Sequence, residues 1–179
     1  LLQSIGLTKE QADYETRRLT ILRAMDKYDR LGLAGVRDLL GAGRRDESGD
    51  FTTGAGLDDA QIDAVAGLVS AQGVSRPEML DALEAQIGDT ASGAGGIAEL
   101  REMDALFTRL GYGVERLCID PTIVRGLGYY TGPVYEIDLT FDTPDSDGTV
   151  TRFGSVGGGG RYDDLVKRFQ GVEIPAPGI

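Results

Sequence analysis

The rhythm of apolar and polar positions changes once along this chain. Up to residue 112 apolar side chains recur every three or four positions, the spacing of helices with one buried face. Thr8 and Gln11 are placed for a capping box, and Ile21, Met25 and Tyr28 then mark one helical face. Asp58 and Gln61 predict a second cap, followed by Ile62, Val65 and Val69. Ser75 and Glu78 predict a third, followed by Leu80, Leu83 and Ile87. The last helix carries Leu100, Met103, Phe107 and Leu110. Clusters of Gly, Ser and Asp from Gly41 to Gly56 and from Gly88 to Gly96 separate these segments.

After Gly113 the period shortens to two. Leu117 to Asp120 reads as a short strand, and Val134 to Asp142 as a longer one. There Tyr135, Ile137, Leu139 and Phe141 alternate with Glu136, Asp138, Thr140 and Asp142. TPDSDG, Thr143 to Gly148, reads as a turn, and Thr149 to Val156 as the returning strand of an antiparallel hairpin. The turn is not an EF-hand loop, which needs an acidic residue at Thr143 and a Glu at Gly154. Four glycines then connect to RYDDLVKRF, a short helix with Leu165, Val166 and Phe169 on one face. The expectation is an α+β chain, helical over 1–112 and β-rich over 113–179.

Composition narrows the function classes. Of 179 residues, 41% are hydrophobic and 26% charged, as in a soluble globular protein, and no apolar run is long enough to span a bilayer. The chain does not begin with Met and stops just after a glycine-rich segment, so a piece of a larger protein is expected. Cys118 is the one cysteine and no histidine occurs. Cys/His zinc sites and Ser–His or Cys–His pairs within this segment are therefore excluded. Lacking any disulfide, the chain fits a reducing cytosol, and Cys118, between Leu117 and Ile119, is expected to be a buried small hydrophobe. The net charge of −11 argues against an autonomous nucleic-acid binder. Arg17, Arg18, Arg23, Lys27 and Arg30 crowd the first helix, but acidic residues interleave with them. A solvated face with i,i+4 pairing is the expectation.

Two segments carry chemistry. In RGLGYYTGPVYEIDL, Arg125 supplies a planar, permanently charged fork for a carboxylate or phosphate. Tyr129 and Tyr130 supply flat walls with a hydroxyl edge. In GSVGGGGRYDDL, Gly157, Gly158, Gly159 and Gly160 permit close approach of a ligand to the backbone, and Tyr162 adds a third wall if the hairpin brings the segments together. Neither a dinucleotide fingerprint nor a phosphate loop has this spacing. Residue chemistry alone describes a pocket for a small, ring-bearing, anionic ligand.

RGLGYYTGPVYE and GSVGGGGRYDDLV resemble, in order and spacing, the two histidine-recognition segments of the histidyl-tRNA synthetases. IDPTIVRGL, TILRAMDKYDRLG and IPAPGI extend the resemblance over nearly the whole chain. It implies a class II synthetase-type antiparallel sheet, with 1–112 as the helical insertion region and 113–179 as part of the catalytic domain. It also implies a cytoplasmic enzyme whose substrates are histidine, ATP (with Mg) and tRNA, a homodimer when complete, and no membrane partner. Arg125 is then the catalytic arginine, contacting the substrate carboxylate and the α-phosphate of ATP. Tyr130 and Tyr162 line the imidazole pocket over the floor of Gly157 to Gly160, and Tyr129 and Glu136 support it. No metal ligand is implied within this segment, and no ATP is held by it alone.

Two features depart from the family pattern. Gly128 stands where an acidic residue is usual, and none of the three class II signature motifs is present. The segment is therefore expected to supply part of the histidine pocket and to be inactive by itself. The alternative is a histidine-sensing synthetase paralogue, of the kind that regulates ATP phosphoribosyltransferase.

Overall fold

A computed structural model describes residues 1–71, 73–124, 130–144, 146–151 and 154–178. Packing divides the α+β chain into two compact units, Leu1–Val124 and Arg125–Ile179.

The first unit contains α1 (Tyr14–Met25), α2 (Tyr28–Leu40), a small hairpin of β1 (Gly43–Arg45) and β2 (Phe51–Thr53), then α3 (Asp59–Val69), α4 (Arg76–Ile87) and α5 (Ala91–Arg109). Two capping boxes form in full. Asp58 accepts from the Gln61 N–H and Ser75 from the Glu78 N–H, while the Gln61 and Glu78 side chains accept from the cap N–H groups in return. Each satisfies two otherwise orphaned donors, and a cap is worth about 1 kcal/mol. The Thr8–Gln11 pair forms only half a box, because the chain makes a turn there and α1 starts at Tyr14. The basic stretch is not one helix: α1 ends at Met25, and α2 is kinked at Gly32, whose φ of 63° suits only glycine. Ile21, Val36, Leu40, Val65 and Leu80 are inaccessible and centre the core.

Three further sequence expectations fail in this unit. The tract from Gly88 to Gly96 is not a connector: Thr90 Oγ1 accepts from the Gly93 N–H, α5 begins at Ala91, and buried Ile97 anchors it. Leu117 to Asp120 joins no strand, and Cys118 is exposed. Burial alternates there, so half-buried Leu117 and Ile119 flank an outward-facing cysteine. The reason this stretch stays with the helices is Arg76, which is buried. Its guanidinium donates to Asp104 Oδ1, to Thr108 Oγ1 (3.3 Å) and to the Leu117 carbonyl (2.9 Å). Ile119 and Val124 also pack against the helical core, which carries the unit past the change of sequence pattern at 112.

The second unit holds β3 (Val134–Asp138), β4 (Thr143–Pro144), β5 (Val150–Thr151), β6 (Ser155–Arg161), α6 (Asp163–Gln170) and β7 (Pro177–Gly178). β3, β6 and β7 form an antiparallel sheet in that order, with the glycine run at its centre. The expected hairpin is real in direction but not in register. β3 pairs with 155–161, Val134 opposite Gly160, while β4 and β5 make a separate short ladder around the turn. Glycine weakens a strand interior, so a four-glycine run does not read as one. It is a strand here because its neighbours come too close for side chains. On Gly160 a Cβ would lie 2.8 Å from the Pro133 carbonyl oxygen. α6 ends on Gly171 at φ 72°, with Phe169 fully open to solvent.

Candidate substrate-binding site

Strand alternation gives the sheet two different faces. On one, Tyr135 and Ile137 of β3 lie over Gly159 and Gly157: a Cβ on Gly157 would stand 3.3 Å from Ile137 Cδ1. The other face carries Glu136, Gly158 and Gly160, with Glu136 directly opposite Gly158. Tyr130 closes over this second face, since a Cβ on Gly160 would lie 2.9 Å from its ring. Tyr162 covers Gly178 on the neighbouring strand, and the two tyrosine rings stand 6.2 Å apart with planes tilted by 44°.

The expected floor is thus divided. Gly158 and Gly160 face the tyrosines, whereas Gly157 and Gly159 back onto Tyr135 and Ile137. Arg125 and Tyr129 lie outside the described residues. What the described residues bring together on one face of the sheet is the backbone of Gly158 and Gly160, two tyrosine rings and half-buried Glu136. Such a face suits a flat ring carrying an N–H donor.

Main-chain bonds hold the walls. The Thr131 N–H donates to the Arg161 carbonyl (2.8 Å), the Arg161 N–H to the Pro133 carbonyl (3.1 Å), and the Tyr162 N–H to the Ala176 carbonyl (2.8 Å). Asp163, which sequence reasoning passed over, binds the same segments. Its carboxyl is held below the usual carboxylate range, first by the Ala176 N–H and then by Arg161. Its place at the first position of a helix, directly after the wall tyrosine, is the signal that could have singled it out.

The helical unit has a concavity of its own, of about 130 Å³, lined by Thr20, Arg23, Ala24, Lys27, Leu39, Thr52 and Thr53. The expected pairing of the basic face is partial. Arg17 pairs with Asp13 and Arg18 with Glu15, while Arg23 and Lys27 form no ion pair among the described residues. Arg44 stands opposite Thr52 in the β1–β2 ladder.

A glycine-centred antiparallel sheet joined to a helical unit is an arrangement expected of a synthetase-type α+β chain, and sequence comparison makes the class definite. Residues 34–179 match the family described as Histidyl-tRNA synthetase. The chain belongs to that family. Among its relatives, the histidine–tRNA ligase of Bartonella quintana is 52% identical over 180 residues, covering 100% of this chain and 35% of the relative. That of Jannaschia sp. strain CCS1 is 52% identical over 93% of this chain and 33% of the relative. The ligase of Roseobacter denitrificans is 54% identical over 89% and 31% respectively. The chain spans about a third of the length of the curated relatives it matches.

Proposed function

We propose that this chain is the part of a histidine–tRNA ligase that holds the histidine side chain, and that the complete protein activates histidine with ATP and transfers it to tRNA. One observation carries the reading: Tyr130 and Tyr162 form an aromatic pair 6.2 Å apart on the glycine-floored face of the sheet. The imidazole packs against these tyrosines beside the backbone of Gly158, its N–H groups directed to tyrosine hydroxyls and the Glu136 carboxylate. A side chain on the floor would occupy that space. In the first step a carboxylate oxygen of histidine attacks the α-phosphorus of ATP and pyrophosphate leaves. In the second, a ribose hydroxyl of tRNA attacks the acyl carbon and AMP leaves.

Arg125 aligns the two anions in the first step and stabilises charge on the transferring phosphoryl group, which is positioning plus electrostatics. No group of three or more His, Cys, Asp or Glu side chains that could hold a metal ion is gathered among the described residues, and the Mg expected with ATP belongs to the rest of the complete protein. Arg23 and Lys27, which form no ion pair among the described residues, suit an RNA phosphate together with the hydroxyls of Thr20, Thr52 and Thr53 and make the helical unit the tRNA-facing part. No helix of the described residues is long and apolar enough to cross a membrane. On the family reading, the complete protein works in the cytoplasm, as a homodimer.

Histidine-dependent ATP–pyrophosphate exchange by the full-length protein, beside a histidine-binding titration, tests the reading. Exchange is expected. Histidine binding without exchange would assign the chain to a sensor, and absence of both in folded protein would overturn the pocket.

A further inference from the structure

Asp163 ties together three segments that shape this face. Its Oδ1 accepts from the Ala176 N–H (3.0 Å), its Oδ2 accepts from Arg161 Nε (2.7 Å), and its own N–H donates to Thr131 Oγ1 (3.1 Å). Every partner adjoins a wall. Thr131 follows Tyr130, Arg161 precedes Tyr162, and Ala176 accepts the Tyr162 N–H and leads into β7. Alternation along β6 puts Arg161 on the face opposite Gly160 and Tyr130, and its side chain lies 3.0 Å from where a Cβ on Gly132 would be. The carboxylate bonded to Arg161 therefore stands behind the tyrosine walls, not on their face of the sheet.

The ion pair is a minor part of this. Arg161 is about half exposed, and exposed pairs of this kind contribute little. What matters is that one carboxylate and one amide fix three chain segments at once, so that loss of either frees a wall. We propose that Asp163 is a positioning residue for the site, its bonds to Ala176, Arg161 and Thr131 setting the separation and tilt of Tyr130 and Tyr162 and hence the seat of the substrate ring. This rests on the histidine-pocket reading given above.

The test uses the full-length ligase with Asp163→Ala, Asp163→Asn and Thr131→Val, beside Tyr130→Ala and Tyr162→Ala. Pyrophosphate exchange is measured at varied histidine and varied ATP. Asp163→Ala is expected to raise the histidine KM about tenfold or more, with the ATP KM and kcat within about threefold, the size expected for losing charge-assisted bonds behind a binding wall. Asp163→Asn keeps an acceptor for Ala176 and falls between. On a Tyr162→Ala background, Asp163→Ala is expected to add less than about twofold, because the wall it holds is already gone.

An unchanged histidine KM, an equal fall in kcat at unchanged KM, or full additivity with Tyr162→Ala overturns the proposal. If Asp163→Ala does not fold, Asp163→Asn and Thr131→Val decide it: a severalfold higher histidine KM in both supports it, and no change in either overturns it. Should the two tyrosine variants themselves leave the histidine KM unaltered, the pocket reading fails and takes this inference with it. A response confined to the tyrosines sinks the inference alone.

Discussion

Tyr130 and Tyr162 stand 6.2 Å apart although four strands, β3 to β6, separate them in sequence. Their meeting depends on the antiparallel pairing of β3 with β6, which sets Val134 opposite Gly160 and so returns the chain to the point where the first tyrosine lies. The walls are thus a product of strand register. A slip of one residue would send Tyr162 to the other face.

Gly160 has no room for a side chain without a shift of the Tyr130 wall. A Cβ there meets the Tyr130 ring at 2.9 Å and the Pro133 carbonyl at 2.8 Å, whereas one on Gly154 meets nothing within 4 Å. Gly160→Ala in the full-length ligase is expected to raise the histidine KM by about 100-fold, a misplaced wall having that order of effect. Gly154→Ala is the matched comparison, with its KM within about twofold. Exchange kinetics at varied histidine measure both.

Replacement of Arg125 separates binding from chemistry. Arg125→Ala is expected to lower the rate of adenylate formation about 100-fold or more while weakening histidine binding far less, as for loss of a group acting mainly on developing charge. Single-turnover adenylate formation beside a histidine titration checks it; equal losses in both would refute the role.

Acid should act on Asp163. Its carboxyl is depressed by the Ala176 N–H and Arg161, so its contribution to stability is fully present above the ordinary Asp pKa and is lost as pH falls through the lower folded value. Asp163→Asn is therefore expected to be less stable than the parent at neutral pH, with the difference shrinking as pH drops below about 4. Urea unfolding across that range shows whether the two curves converge.

Arg76 offers a test confined to the helical unit. Replacing it by Ala leaves Asp104 and the Leu117 carbonyl without their partner inside a largely buried site. A loss of about 3 kcal/mol is expected, as for breaking a buried ion pair from one side. Denaturation of the full chain, followed by helical circular dichroism, measures it.

Arg23 and Lys27 of the helical unit predict a salt effect. Arg23→Glu with Lys27→Glu is expected to raise the tRNA KM for aminoacylation about tenfold or more and to flatten its salt dependence by about 1.5 in the log–log slope, two phosphate contacts being lost. Pyrophosphate exchange, which takes no tRNA, is the internal reference. An unaltered slope would remove tRNA from this concavity.

Local chemistry was legible in the sequence where its partners lie within one turn of helix. The boxes at Asp58–Gln61 and Ser75–Glu78 form as their spacing predicts, because a side chain and an amide three residues apart are neighbours in any helix start. Misreadings arose where a residue's role is set by something distant. Gly157 to Gly160 form a strand because β3 pairs along all four of them and β7 joins at Gly160, not through any propensity of glycine. Gly93 begins a helix because Thr90 caps it, and Cys118 is exposed because Arg76 holds the carbonyl beside it. In the site, the motif named Tyr130 and Tyr162, but only the register divides the glycines between two faces. Asp163 was illegible because its partners Thr131 and Ala176 stand apart from it in the chain.

The absent side chain of Gly159 has a mechanical result. The Tyr135 hydroxyl reaches across that gap, from β3 over β6, to donate to the Gly178 carbonyl on β7 at 3.1 Å. It acts as a cross-brace on the underside of the sheet, tying the outer strands through the one place where the middle strand has nothing in the way. A braced plate does not bow under a larger guest. Size discrimination on such a face falls to the aromatic walls above, while the surface beneath keeps its level.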